Sequence, residues 1–178
     1  MQRQKKTMEE LDRVSGAEYK KLKKKPLLVV LDNVRSAHNV GSVFRTCDAF
    51  LIEKIYLCGI TPVPPNPEIH KTALGATESV EWEYAENADL LIQDLKASGH
   101  LMYSVEQTHK SIPLSETPVF KTNKCVLVFG HEVYGVSQSI VNQSDICIEI
   151  PQSGTKHSLN ISVCAGIVLY HFFSEYSV

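Results

Sequence analysis

The five cysteines of this 178-residue sequence, Cys47, Cys58, Cys125, Cys147 and Cys164, include no C-x-x-C pair. A zinc ribbon or dithiol redox site therefore has nothing to build on, and thiols set inside apolar runs are expected to stay reduced and pack as small hydrophobes. With no His/Cys cluster either, no metal is expected. No uninterrupted apolar run approaches the roughly 20 residues of a membrane helix. The opening, MQRQKKTMEE, lacks the apolar core of a secretory signal, so a cytoplasmic protein without a membrane partner is expected. The glycines never form G-x-G-x-x-G after a strand, nor does SGTKHS keep the spacing of a phosphate loop. A dinucleotide-dependent oxidoreductase and a P-loop nucleotidase are thereby excluded.

What is present reads as a globular domain: 43% apolar residues and 21% charged ones suffice for one full core. The net charge of −2 conceals an uneven split, since residues 1–25 carry nine Lys/Arg against four Asp/Glu and the remainder is acidic. The expected organisation is a basic N-terminal extension over 1–25 and a folded domain over 26–178. The run KKLKKKP either attracts phosphate backbones or forms a solvated, frayed helix.

Beyond Pro26 the chain shows short runs rich in β-branched residues: LLVVLD (27–32), KIYLCG (54–59), LMYSVE (101–106), KCVLVFG (124–130) and DICIEIP (145–151). Such runs fit strands buried on both faces. Helical patterns cover 39–50, 86–99 and 158 to about 173, and SVEWEY (79–84) fits an edge strand. Strands alternating with helices predict an α/β fold, a mainly parallel sheet flanked by helices. The segment GITPVPPNPEIHKTALGA is so rich in proline that a long loop is expected there.

Open parallel sheets bind ligands beyond the carboxyl ends of their strands, which directs attention to the residues following each run. In NVGSVFRTCDAF, Val40, Val43, Phe44 and Cys47 form a helical apolar stripe. Arg45 falls on the polar side with His38 and Ser42, while Asn39 stands where a side chain caps a helix. Alone, this reads as a surface helix with a solvated arginine and a capping asparagine. In VLVFGHEVYGVSQSI a buried strand meets Gly-x-Glu-x-x-Gly, where Glu132 either orients a cation or caps the helix after Ser137. The tract YSVEQTHKS crowds polar residues beyond the 101–106 run. In IPQSGTKHSLNISVCAGIVLYHF, three polar residues (Ser158, Asn160, Ser162) open a segment that is apolar almost all round.

Together and in this order, NVGSVFRTCDAF, LVFGHEVYGVSQSIV and IPQSGTKHSLNISVCAGIVLY resemble the three motifs of the SpoU (TrmH-like) RNA 2′-O-ribose methyltransferases of the SPOUT superfamily. The resemblance covers residues 27 to about 172. It implies an α/β-knot fold with a deep C-terminal trefoil knot, a homodimer, S-adenosylmethionine as methyl donor, and tRNA or rRNA as partner. It also implies that Val105, Gly130, Ile150, Ser158 and Leu159 surround the cofactor, with backbone contacts to adenine from Gly130, Ile150 and Leu159. Arg45 would act on the ribose hydroxyl and Asn39 would position the ribose or Arg45. Glu132 would hold the arginine or shape a pocket at the dimer interface, and Ser158 and Asn160 would complete the site. A non-catalytic RNA-binding or assembly factor keeping the same fold is the alternative. Independently of the resemblance, the closing helix carries more apolar residues (Val163, Ile167, Val168, Leu169, Tyr170, Phe172, Phe173) than one sheet can cover, which favours a second subunit.

Overall fold

The computed structural model describes residues 3–7, 10–11, 14–120 and 124–176. Parts of the expected basic extension (1–2, 8–9, 12–13) and the last two residues of the expected domain lie outside this range. The elements in chain order are α1 (Gly16–Lys21), β1 (Lys25–Asp32), α2 (Ala37–Ala49), β2 (Ile52–Cys58), α3 (Pro67–Ala73), α4 (Ala76–Ser79), β3 (Glu81–Ala85), α5 (Ala88–Ala97), β4 (Leu101–Val105) and β5 (Ile112–Pro113). A 3₁₀ turn, Leu114–Glu116, precedes β6 (Cys125–Phe129), α6 (Gln138–Gln143), β7 (Ile146–Glu149) and α7 (Ile161–Glu175).

The seven strands form one sheet in the order β3-β2-β1-β6-β4-β7-β5, and each neighbouring pair is parallel. The parallel α/β expectation is met, with β3 at the edge. Strand side chains alternate between faces, so Leu27, Val29 and Leu31 of β1 enter one core with α2 and α7. Leu28 and Val30 enter the other, with Ile92 and Leu95 of α5 and Ile140 of α6. A central strand with apolar residues at every position is what two covered faces require. Each such side chain contributes about 1.5–3 kcal/mol by leaving water.

The apolar stripe of α2 is buried as expected, Val40, Val43, Phe44 and Cys47 all being fully inaccessible. On α7, Val168, Leu169 and Phe172 face the sheet, with Phe172 edge-on to Tyr103 at 5.1 Å. All five cysteines are free thiols, and Cys47, Cys58 and Cys125 are buried. Burial pushes the Cys58 thiol up to about 12, with the Asp32 charge adding to the effect, so it stays protonated.

The structure corrects three expectations. The proline-rich segment is not a continuous loop, because Asn66 accepts the N–H groups of Glu68 and Ile69 and Pro67 takes the first helical position. Asn-Pro-Glu is a helix start, and Ile69 and Ala73, four residues apart, bury one face of α3. Helix α2 starts at Ala37 with Ser36 as its cap, so Asn39 lies inside the first turn and is not the cap. Helix α7 starts at Ile161 with Asn160 as its cap, leaving Ser158 and Leu159 in an irregular lead-in. The two-residue strand β5 was not expected at all. Within the basic segment, Tyr19 is only 4% exposed and joins the main core, and Lys25 opens β1.

Candidate active site

Beyond the carboxyl ends of β4, β6 and β7, three loops enclose a cavity of about 540 Å³, within the range of small-molecule sites. Its walls come from Val105 at the end of β4 with Glu106 beyond it, the 130–135 turn after β6, and Ile150 with residues 157–161 after β7.

The turn after β6 is fixed by two glycines. A Cβ on Gly130 would lie 2.0 Å from the carbonyl carbon of Gly135 and 2.1 Å from the nitrogen of Val136. Only glycine lets the chain fold back this closely. His131 and Gly135 then exchange both backbone hydrogen bonds at 2.9 Å. Gly135 has a φ of +70°, which side-chain-bearing residues rarely adopt.

Glu132 projects from this turn toward the entry of α2. Its Oε2 accepts the N–H of Arg35 at 3.0 Å, and its Oε1 accepts the N–H of Ser36 at 2.9 Å and Asn39 Nδ2 at 3.0 Å. Partial burial pushes the Glu132 carboxyl up, but the backbone N–H groups of Arg35, Glu132 itself and Ser36, with the Asn39 amide, outweigh it and hold the group below the usual carboxylate range. At neutral pH it is an anion, and charge-assisted bonds of this kind are the stronger class. It does not cap the helix after Ser137. That helix is instead secured by Asp32, whose Oδ2 accepts Ser137 N at 2.8 Å and Ser137 Oγ at 2.6 Å.

Asn39 passes the constraint on. With Nδ2 given to Glu132, its Oδ1 accepts Asn160 Nδ2 at 3.1 Å. Asn160 Oδ1 in turn accepts Ser162 N at 2.9 Å and Ser162 Oγ at 2.6 Å, closing the start of α7. Three segments distant in sequence thus meet through one polar relay, Glu132–Asn39–Asn160. Gly130, Val105, Ile150, Ser158 and Leu159 line the same cavity.

Arg45 does not join them within the protomer. It lies six residues beyond Asn39, about 9 Å along the helix axis, and lines a separate groove formed with α1, α3 and α4. Among the described residues no hydrogen bond or ion pair joins Arg45 to Glu132, whose side-chain bonds go to the α2 entry. His38, on the same face of α2, pairs with Glu68 at 2.5 Å.

Glu106, Gln107 and Ser36 are site residues that were not singled out individually. Glu106 Oε2 accepts Val136 N at 2.8 Å and Gln107 Nε2 donates to the His157 carbonyl at 2.8 Å, tying the β4 loop to both others. The crowding of polar residues after the 101–106 run was the available signal. Among the described residues no cluster of three His, Cys, Asp or Glu side chains suits a metal ion, and no helix is long and apolar enough to cross a membrane.

A family model described as the SpoU rRNA Methylase family matches residues 26–170. The chain is 36% identical over 152 residues to a tRNA (guanosine(18)-2′-O)-methyltransferase from Aquifex aeolicus, covering 83% of this chain and 69% of that protein. It is 32% identical over 151 residues to the 23S rRNA (guanosine-2′-O-)-methyltransferase RlmB from Nitrosomonas europaea, spanning 85% of this chain but 57% of that one. The crystal structure of the A. aeolicus TrmH/SpoU tRNA modifying enzyme superposes with a TM-score of 0.81 at 28% identity, over 91% of this chain and 82% of that chain. An AdoMet-bound rRNA methyltransferase from Sinorhizobium meliloti superposes with a TM-score of 0.80 at 25% identity, over 88% and 60%.

Proposed function

The chain belongs to the SpoU rRNA methylase family, and from that premise we propose that it transfers a methyl group from S-adenosylmethionine to a ribose 2′-hydroxyl of tRNA or rRNA in the cytoplasm. The observation that carries this reading is the relay Glu132–Asn39–Asn160, which joins all three motif segments at the mouth of one cavity.

The lining suits the donor. Val105, Ile148, Ile150, Leu159 and Ile161 offer an apolar slot for a purine. Glu106, Glu132 and Glu149 give the walls a negative charge that favours a cation. When bound, the sulfonium supplies an electrophilic methyl group. The Gly130, Ile150 and Leu159 backbone would meet the adenine, and Ser158 and Asn160 would hold the ribose that accepts the methyl.

The 2′-hydroxyl must shed its proton as the new C–O bond forms, so charge develops on its oxygen. The Arg45 guanidinium is always protonated. Its role in this reading is to donate to that oxygen and stabilise the alkoxide as a preorganised cation, while the proton leaves to solvent or a neighbouring phosphate. Because Arg45 stands apart from the cavity of its own protomer, the reading includes a homodimer in which a second copy supplies it. Support comes from α7, where Val163, Ile167 and Tyr170 recur on one face and remain 52%, 41% and 60% exposed. The deep knot belongs to the same reading.

The test is transfer of isotope-labelled methyl groups from S-adenosylmethionine to purified tRNA and rRNA, with the product mapped at the 2′-oxygen. Incorporation is expected. Saturable cofactor binding without transfer to any RNA would favour the non-catalytic alternative.

A further inference from the structure

We infer that Tyr134, held by His131 at the rim of the cavity, is a stacking platform for an unpaired base of the substrate RNA and thereby selects single-stranded or flipped-out nucleotides. This rests on the proposed RNA-modifying function but assigns a role that the relay and the cofactor lining leave open.

Tyr134 is 84% exposed and its neighbour Val133 69% exposed, on a turn that itself lines the cavity. Neither packs into either core. An exposed aromatic on a floppy loop would need no explanation, but this turn is pinned on every side. Gly130 closes it, His131 and Gly135 bridge it, Glu132 anchors it to α2, and Glu106 accepts Val136 N at 2.8 Å. The tyrosine is therefore presented on a preordered support, which lowers the entropy lost when a ligand ring settles on it.

The presentation extends to the side chains. His131 Nδ1 accepts the N–H groups of Val133 at 2.9 Å and Tyr134 at 3.4 Å. A ring nitrogen that accepts carries no proton, so in the neutral imidazole the proton resides on Nε2. The two rings lie 4.8 Å apart at 34°, so His131 backs one side of Tyr134 and leaves the other for a partner. The partner's chemistry follows from the location. A ribose brought to the relay carries its base a few ångströms away, a flat π-system that stacks on tyrosine whatever its identity. Paired bases are already stacked and offer no free face, hence the preference for unpaired ones.

The experiment uses fluorescence and kinetics on the full chain. The sequence contains one tryptophan, so Tyr134→Trp in a Trp82→Phe background puts the sole indole on the rim. Saturable quenching of that indole by a short mixed-sequence single-stranded RNA, and weaker quenching by the same strand in a duplex, is the expected result. Alongside it, Tyr134→Ala should raise the KM for RNA roughly 5- to 150-fold, with the melting temperature unchanged, and Tyr134→Phe should restore it. RNA bound without quenching, or an RNA KM unaffected by Tyr134→Ala, overturns the stacking role. So does loss of a dimer in Tyr134→Ala, which would make the residue an interface contact. Failure of the parent protein to bind or methylate any RNA strikes instead at the proposed function.

Discussion

Asn160 donates its side-chain amide to Asn39 Oδ1 across 121 positions of sequence, and the direction of that bond is set by a third residue. Glu132 is an anion and can only accept, so Asn39 must turn Nδ2 toward it and Oδ1 toward Asn160. The carboxylate thus fixes the orientation of an amide that reaches the opening of α7, the lead-in that carries Ser158 and Leu159.

Replacing Asn39 by Asp should reverse this logic. A second carboxylate would face Glu132 where the amide now donates at 3.0 Å, and two such groups cannot both ionise comfortably. At neutral pH methyl transfer should fall on the order of 100-fold through misplacement of the site. Because protonating the introduced carboxyl restores a donor, the variant should regain activity relative to Asn39→Ala as pH falls. Parallel pH–rate profiles of the two variants check this.

Glu132 also makes a pH-dependent contribution to stability. Its folded-state value is held below the ordinary one, so its contribution is complete above the ordinary carboxylate range and disappears as pH falls through the lowered folded value. Glu132→Gln should therefore lower the unfolding midpoint at neutral pH. The gap to the parent protein should close in acid. Denaturant melts from neutral pH down to the acid limit measure it.

The position of Arg45 yields a genetic test. If a second copy completes the site, a heterodimer of Arg45→Ala and Ser158→Ala chains holds one doubly damaged site and one intact site. Co-expression with different affinity tags should then recover about a quarter to a half of the parent activity, although each variant alone is at least about 100-fold impaired, as for loss of a charge-stabilising donor. No recovery in the purified heterodimer would mean that Arg45 serves the cavity of its own chain or none.

How much of this was readable in advance depended on the kind of interaction. The strands were legible because LLVVLD and KCVLVFG, apolar at nearly every position, suit only a sheet covered on both faces. The buried stripe of α2 was legible by its period. Helix α3 was not, since the prolines around Asn66 masked a start signal that a single side-chain cap at Asn66 makes effective. Cap positions failed for a related reason: Ser36 and Asn39 are both good caps by type, and the choice went to Ser36 because Asn39 is occupied by Glu132 and Asn160. The cavity lining came from the family resemblance. Glu132's engagement with the α2 entry could come only from three-dimensional contact, since the partners lie more than ninety residues apart.

The lysines from 20 to 25, leading into β1, divide into two sets that do different things. Lys24 Nζ stands 3.1 Å from the Tyr19 ring centroid and donates to the Tyr19 carbonyl, and Lys25 Nζ donates to the Tyr176 carbonyl at 3.1 Å. Lys20, Lys21 and Lys23 are exposed and available to phosphate. Deleting residues 1–25 would confuse charge with packing, because it removes the buried Tyr19, whose truncation to alanine alone should cost about 3 kcal/mol. The clean variant is Lys20→Gln with Lys21→Gln and Lys23→Gln. It should melt like the parent, bind RNA more weakly at low salt, and show a shallower dependence of log affinity on log salt, by about 0.7–0.9 for each phosphate that is no longer neutralised. An unchanged slope in RNA titrations would detach these lysines from RNA recruitment, whatever became of the affinity itself.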